Sequence, residues 1–192
     1  MMKRLAILAA AAIGAAGFAA SSFALGVGLE AHGLYAFNFH DEDDLGYSLE
    51  NAFGGGLSLA FALHENVRLD FGLDYFNPHN EDNSDWDVEF IPVCLGIRFG
   101  GHLEKIFLSG GGGAGYSSNG RTLAWGDEGD FENSMIYFVC GGAEIALAGP
   151  LAFRGELRYN WLRPELSFDG PRDNEDLNFD HLQVRAGVGL DF

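Results

Sequence analysis

Charged residues recur at every second position in several segments of this sequence. Arg68 and Asp70 have this spacing, and Arg154, Glu156 and Arg158 extend it. In an extended strand, side chains two positions apart lie on the same face, so the spacing brings opposite charges together. Such groups form ion pairs in a confined interior, or they line a narrow path for ions if the pairs can separate. The residues with this parity are Glu30, Arg68, Asp70, Asp74, Arg98, Glu144, Arg154, Glu156, Arg158, Arg185 and Asp191.

A second concentration of charge lies in four long polar segments, residues 40–50, 77–89, 117–133 and 163–181. They hold twenty of the 28 acidic residues against three arginines, a net charge of −17 that equals that of the whole chain. Three interpretations remain open: solvation with repulsion of neighbours, binding of divalent cations, and docking of a basic partner. None of these segments has the ligand spacing of an EF-hand, so the sequence predicts no dedicated metal site.

Eight stretches that would position these charges alternate apolar and polar residues with a period of two, and each predicts a β-strand. They are residues 27–39, 53–63, 67–76, 90–99, 106–116, 137–147, 151–161 and 182–192. The paired charges fall on the polar parity of these strands. Pro92 lies inside the fourth strand, and because proline cannot donate a ladder hydrogen bond we expect a bulge there.

The connections between the predicted strands alternate in length. Short turns are expected at residues 64–66, 100–102 and 149–150, whereas the four long polar segments form the other connections. This alternation predicts an all-β fold, an eight-stranded antiparallel up-and-down barrel.

The two faces of the barrel decide between a membrane protein and a soluble, lipocalin-like carrier with its apolar face inward. The polar face is rich in small and charged residues, which suits a narrow hydrophilic lumen. The apolar face has aromatic rings near the strand ends, as expected at the two interfaces of a bilayer. The predicted girdle near the long loops contains Phe37, Tyr75, Tyr116, Tyr137, Tyr159 and Trp161. We therefore expect a transmembrane barrel whose lumen is closed by ion pairs, with a narrow pore as the alternative.

The first residues have the features of a secretory signal peptide. Lys3 and Arg4 precede an Ala-rich apolar run, and small residues surround position 24. The sequence predicts a signal peptide over residues 1–24 and a barrel domain over residues 25–192.

The chain has two cysteines, Cys94 and Cys140, on different predicted strands with a third strand between them. This places them about 9–10 Å apart, farther than a disulfide allows. Free thiols are therefore favoured over a bridge.

These features together resemble the small outer-membrane β-barrel family of Gram-negative bacteria, which includes the OmpA transmembrane domain, OmpX and opacity-type porin-family proteins. The resemblance rests on the signal peptide, the eight alternating segments, the asymmetry of turns and loops, and the closing LQVRAGVGLDF. It implies a monomer in the outer membrane, in contact with lipid and lipopolysaccharide. It also implies an assembly signal at Leu190 and Phe192 that the barrel-assembly machinery reads, and a structural or adhesion-like role for the loops without a cofactor.

A lipid A-modifying enzyme is the remaining alternative. A hydrolase needs a nucleophile, a base and an orienting acid, and none of the six histidines stands in the His-x-Ser pattern of membrane-barrel deacylases. The glycine clusters at residues 54–56 and 110–113 lie inside predicted strands without a following Lys-Ser/Thr, so they do not indicate a nucleotide-binding loop. We expect no catalytic residues, no bound metal and no nucleic-acid partner.

Overall fold

The computed structural model describes residues 26–38, 51–78, 89–119, 121–124, 127–131, 133–163, 165–168, 175–176 and 178–192. The predicted signal peptide lies outside the described residues. The strands are β1 (Gly26–Asn38), β2 (Ala52–His64), β3 (Val67–Phe76), β4 (Phe90–Leu103), β5 (Ile106–Asn119), β6 (Arg121–Ala124), β7 (Asp127–Phe131), β8 (Ser134–Ala148), β9 (Leu151–Leu162), β10 (Glu165–Phe168), β11 (Glu175–Asp176) and β12 (His181–Asp191). No helix in the described parts of the chain has the length and apolar character needed to cross a membrane.

Eight of these strands close into an antiparallel barrel in the order β1-β2-β3-β4-β5-β8-β9-β12, and β12 pairs back to β1. The closing ladder is continuous from Gly28 opposite Asp191 to Asn38 opposite His181. Closure removes the exposed strand edges that an open sheet would present. The predicted eight-stranded barrel is therefore confirmed.

Tight turns join β2 to β3, β4 to β5, and β8 to β9, and we call this side the turn end and the opposite side the loop end. The predicted turn at residues 100–102 is wrong, because β4 continues to Leu103 and turns at residues 104–105, where Glu104 has a φ of 55°. A Cβ atom at Gly100 would lie 2.5 Å from Cζ of Phe107. This glycine therefore makes room for a ring inside the barrel and does not form a turn.

The bulge expected at Pro92 is also wrong. The β3–β4 register is the same on both sides of the proline, with Leu73 opposite Val93 and Phe76 opposite Phe90. On the other side Pro92 pairs with Ser117 in an unbroken β4–β5 ladder. The backbone N–H that Pro92 lacks interrupts the β3–β4 ladder without shifting its register. Register shifts occur instead beside two of the turns, at residues 62–64 and 146–148.

Two of the long connections contain strands that sequence periodicity did not predict. β6 and β7 lie between β5 and β8, and β10 and β11 lie between β9 and β12. They form a second sheet in the order β11-β10-β7-β6. Its central pairing joins β7 to β10, so two connections that are far apart in sequence are hydrogen-bonded to each other. We call these four strands the loop sheet.

The barrel turns its apolar parity outward and its polar parity inward, as predicted. In β5, Phe107 is buried while the adjacent Leu108 is half exposed. Of the predicted girdle, Tyr75, Tyr116, Tyr137 and Trp161 are exposed on the outer surface, and Phe37 and Tyr159 are partly exposed. Tyr159 and Trp161 form an edge-to-face pair with centroids 4.9 Å apart.

Candidate functional site in the barrel lumen

The inward side chains fill the lumen in two layers. Charged residues occupy the half near the turn end, and apolar residues occupy the half near the loop end. Each layer is built from several strands, because an eight-stranded barrel is narrow enough for side chains from opposite walls to meet.

The part of the charged layer nearest the loop end surrounds Asp74. Arg185 donates from Nη2 to Oδ1 of Asp74 over 2.5 Å, and Nε2 of His32 is 2.8 Å from the same oxygen. The Nη2 atom of Arg185 is also 2.6 Å from Nε2 of His32. Three side chains from β1, β3 and β12 therefore meet within hydrogen-bond distance.

Glu156 joins this group to the opposite wall of the lumen. Its Oε1 atom accepts from Nε of Arg158 over 2.9 Å and from Nη1 of Arg185 over 3.0 Å. Its Oε2 atom lies 3.4 Å from Nη1 of Arg98. Arg98 in turn forms a bidentate pair with Asp70, with distances of 2.5 and 2.6 Å.

Arg154 organises the end of the layer nearest the turns. Its Nε atom donates to Glu144 over 2.8 Å, its Nη1 atom lies 3.5 Å from a carboxylate oxygen of Glu30, and its Nη2 atom donates to Asp191. Glu144 also accepts from Arg68. The Oε1 atom of Glu30 lies 3.4 Å from Nδ1 of His32, which links this group to the group around Asp74.

The structure therefore brings all the charged residues of the inward parity into one network of ion pairs. His32 belongs to the same network, and sequence reasoning missed it because the histidines were considered only as candidate bases. Its position two residues after Glu30, on the same parity, was the available signal.

An apolar plug closes the lumen at the loop end, where the sequence predicts a hydrophilic interior. Its buried residues are Leu34, Ala36, Ala52, Phe76, Phe90, Cys94, Ile136, Phe138 and Leu162. The rings of Phe76 and Phe90 stack with centroids 5.2 Å apart. The prediction was wrong because no strand contributes more than two of these residues to its inward parity, and only closure of the barrel brings them together.

A buried polar group lies beside the plug. Nδ1 of His181 is 2.8 Å from the carbonyl oxygen of Phe179, and its Nε2 atom is 3.1 Å from Nδ2 of Asn160 and 3.0 Å from Nε2 of Gln183. Because a carbonyl only accepts and amide nitrogens only donate, Nδ1 carries the proton and Nε2 is the acceptor. His181 is thus held as a neutral structural side chain, with no lone pair left for a general base.

Little space remains between these side chains. The cavity inside the charged layer has a water-accessible volume of about 20 Å³, enough for about one water molecule. A second cavity of about 120 Å³ opens at the turn end beside Ala60, Ala62 and Arg68. In the parts of the chain that the structure describes, no three His, Cys, Asp or Glu residues are grouped so as to hold a metal ion.

The remaining residues singled out in the sequence lie in the barrel wall. Cys94 and Cys140 are free thiols. Leu190 faces outward from β12, and Phe192 is exposed while its backbone exchanges two hydrogen bonds with Val27, of 3.0 and 2.8 Å.

The structure is similar to those of several small outer-membrane barrels. The crystal structure of OprG from Pseudomonas aeruginosa has a TM-score of 0.69 and 14% identity, covering 88% of this chain and 97% of that chain. The solution structure of outer membrane protein W from E. coli gives 0.61 and 15%, over 89% and 100% of the two chains. Neisserial surface protein A gives 0.60 and 17%, over 87% and 96%. At these identities the likeness shows the fold alone.

Comparison of the sequence with curated proteins finds no match. The sequence does match the family described as "Outer membrane protein beta-barrel domain" over residues 5–192. This match spans nearly the whole chain, and the closed barrel with an apolar outer face agrees with it. The chain therefore belongs to the outer membrane protein β-barrel family.

Proposed function

We propose that this protein is a non-enzymatic barrel of the bacterial outer membrane, exported through its signal peptide, which acts at the cell surface through its loops. The filled lumen is the observation that carries the proposal. Ion pairs occupy one half and the apolar plug the other, and the space between the paired charges is about 20 Å³. A hydrated ion or a small solute needs more room than this. The strand residues thus support a structural wall, and specificity belongs to the loops.

The loop sheet supports a role in surface interaction. Its four strands contain one arginine, Arg121, and six acidic residues, which are Asp127, Glu128, Asp130, Glu165, Glu175 and Asp176. The loop sheet is therefore strongly acidic, and we propose that it favours a cationic surface or polypeptide over an anionic polysaccharide.

Retention of cells on coated surfaces tests this role. Cells that express the chain should be retained on a lysine-rich peptide surface but not on a heparin surface. A variant with Glu128→Gln, Asp130→Asn, Glu165→Gln and Asp176→Asn should lose most of this retention. A matched control, Glu65→Gln with Glu104→Gln at the turn end, should keep it. A heat-modifiability gel would show that both variants form the barrel.

Two results would contradict the proposal. Equal retention of the loop-sheet variant and the control would mean that these carboxylates are not the contact. Reproducible conductance steps from the purified protein in planar bilayers would mean that the lumen opens, and the pore alternative would replace the closed wall.

A further inference from the structure

His32 reaches an acid that is two strands away, and glycine makes this possible. In the barrel register Gly56 of β2 lies between His32 of β1 and Asp74 of β3. A Cβ atom at Gly56 would lie 2.7 Å from Nε2 of His32. Neighbouring strands are about 4.8 Å apart, so an imidazole crosses to the second strand only where the intervening residue has no side chain.

The contacts of Nε2 in His32 are chemically incompatible with one another. The atom is 2.8 Å from Oδ1 of Asp74 and 2.6 Å from Nη2 of Arg185. A carboxylate accepts a hydrogen bond, so the first contact needs a proton on Nε2; a guanidinium only donates, so the second needs a lone pair there. One of the two hydrogen bonds forms at a time, and the proton on Nε2 decides which.

The other ring nitrogen identifies the two states. Nδ1 faces Glu30 at 3.4 Å. In the neutral ring, Nε2 accepts from Arg185 and the proton is on Nδ1. In the protonated ring, Nε2 donates to Asp74, and Nδ1 keeps its ion-pair contact with Glu30. Arg185 then keeps Asp74, at 2.5 Å, and Glu156, at 3.0 Å, and gives up His32.

The charges of the network around His32 do not cancel. Six carboxylates and five guanidinium groups are linked in the lumen, which leaves one negative charge in excess. The charged groups around His32 are Glu30 on its own strand, Asp74 from β3 and Arg185 from β12, with Arg154, Arg158 and Arg98 attached through Glu30 and Glu156. Gly56, its neighbour on β2, brings no charge. A protonated His32 makes the network neutral.

We propose that His32 is a proton-operated switch in the lumen, which exchanges the Arg185–His32 hydrogen bond for a His32–Asp74 hydrogen bond when the ring takes up a proton. Imidazoles titrate in the range in which bacterial surroundings vary, about pH 5 to 8. The pH of the solution at the turn end, where the lumen opens beside Arg68, therefore sets the arrangement of the charged layer. The proposal is independent of the surface role above, which needs no titration.

Nuclear magnetic resonance of the full barrel tests the switch directly. The protein would carry nitrogen-15-labelled histidine and arginine in lipid nanodiscs and be titrated from about pH 8 to about pH 5. We expect His32 to change from the neutral Nδ1–H tautomer to imidazolium, and the Arg185 guanidinium signals to shift with the same midpoint. His64, the exposed last residue of β2, serves as the control, and the Arg185 signals should not follow the His64 signals.

Three variants separate the switch from a general effect of pH. His32→Gln should abolish the Arg185 shift, and His64→Gln should leave it unchanged. Gly56→Ala keeps every titratable group but places a methyl group between His32 and Asp74 and against the backbone oxygen of Leu73, so it should reduce the shift by at least half. If a variant fails to fold, the titration of the unsubstituted barrel decides the proposal. An Arg185 shift that persists in His32→Gln, or a His32 titration with Arg185 signals unmoved, would overturn the proposal.

Discussion

The guanidinium carbon of Arg158 lies 4.0 Å above the centre of the Phe138 ring, where the charged layer meets the apolar plug. The same arginine donates to Glu156, so one side chain belongs to both layers of the lumen. The cation and the ring stabilise each other because the ring face carries negative charge density.

This contact predicts that the variant Phe138→Leu is less stable than the parent. Leucine keeps an apolar group in the plug but removes the ring, so we expect the free energy of unfolding to fall by about 1–2 kcal/mol. Urea unfolding of the refolded barrel in lipid vesicles would measure it. Phe153→Leu, on the outward face, is the matched control and should lose less. Equal losses would show that the ring of Phe138 contributes only its apolar area.

Gly96→Ala should also destabilise the barrel through Phe138. A Cβ atom at Gly96 would lie 2.7 Å from Cζ of that ring, whereas one at Gly155 would meet no atom within 4 Å. We expect Gly96→Ala to lower the free energy of unfolding by about 1–3 kcal/mol, because the added methyl group overpacks the lumen. Gly155→Ala should change the unfolding free energy by less than about 0.5 kcal/mol in the same measurement. A tolerated Gly96→Ala would mean that the Phe138 ring can move aside.

Glu156→Gln should be the most damaging single change in the charged layer, because it removes a carboxylate that three arginines share. Breaking a buried ion pair from one side costs about 3–5 kcal/mol. Glu65→Gln in the exposed turn should stay within about 0.5 kcal/mol of the parent. If Glu156→Gln unfolds at the same urea concentration as the parent, water or other groups compensate the arginines.

Both cysteines should react as thiols in unreduced protein. We expect two alkyl groups per chain by mass spectrometry after unfolding in urea without reductant. In the folded barrel Cys94 should react slowly, because its side chain is buried in the plug. An unmodified chain after unfolding would show a disulfide and would contradict the placement of these strands.

The β7–β10 pairing of the loop sheet can be tested by crosslinking. Asp130 and Ser167 are direct partners in the β-ladder. Directly opposite residues in an antiparallel pair have Cα atoms about 4.5–5.5 Å apart, within the range of a disulfide. In a background with Cys94→Ala and Cys140→Ala, the pair Asp130→Cys and Ser167→Cys should oxidise readily. The pair Thr122→Cys and Ser167→Cys, on strands separated by β7, should not.

The barrel itself could be predicted from the sequence because its signal is local. Alternation with a period of two identified eight strands and assigned their faces, and the lengths of the connections gave their order. The strand ends could be predicted less well. Gly100 and Gly101 suggest a turn, but β4 continues to Leu103 and Gly100 packs against the Phe107 ring. Pro92 was expected to distort the barrel, but the register on both sides absorbs the missing donor.

The candidate site could be predicted only in its composition. Parity selected the charged residues that the lumen brings together, but it did not give their partners, because those depend on the stagger of the strands around the barrel. His32 meets Asp74 through a glycine on the strand between them, and Phe76 meets Phe90 across a long connection. The loop sheet was missed for the same reason, since its strands are short and pair between two separate connections.

The pairing of β7 with β10 also affects how the outside of this protein would be recognised. The segments that meet in this pairing are more than thirty residues apart in the chain, and the whole of β8 and β9 lies between them. An antibody that binds across this pairing would therefore contact a discontinuous epitope, which a peptide copied from either connection would not reproduce. A sequence change in one connection would also alter the surface contributed by the other, so the two would be expected to vary together.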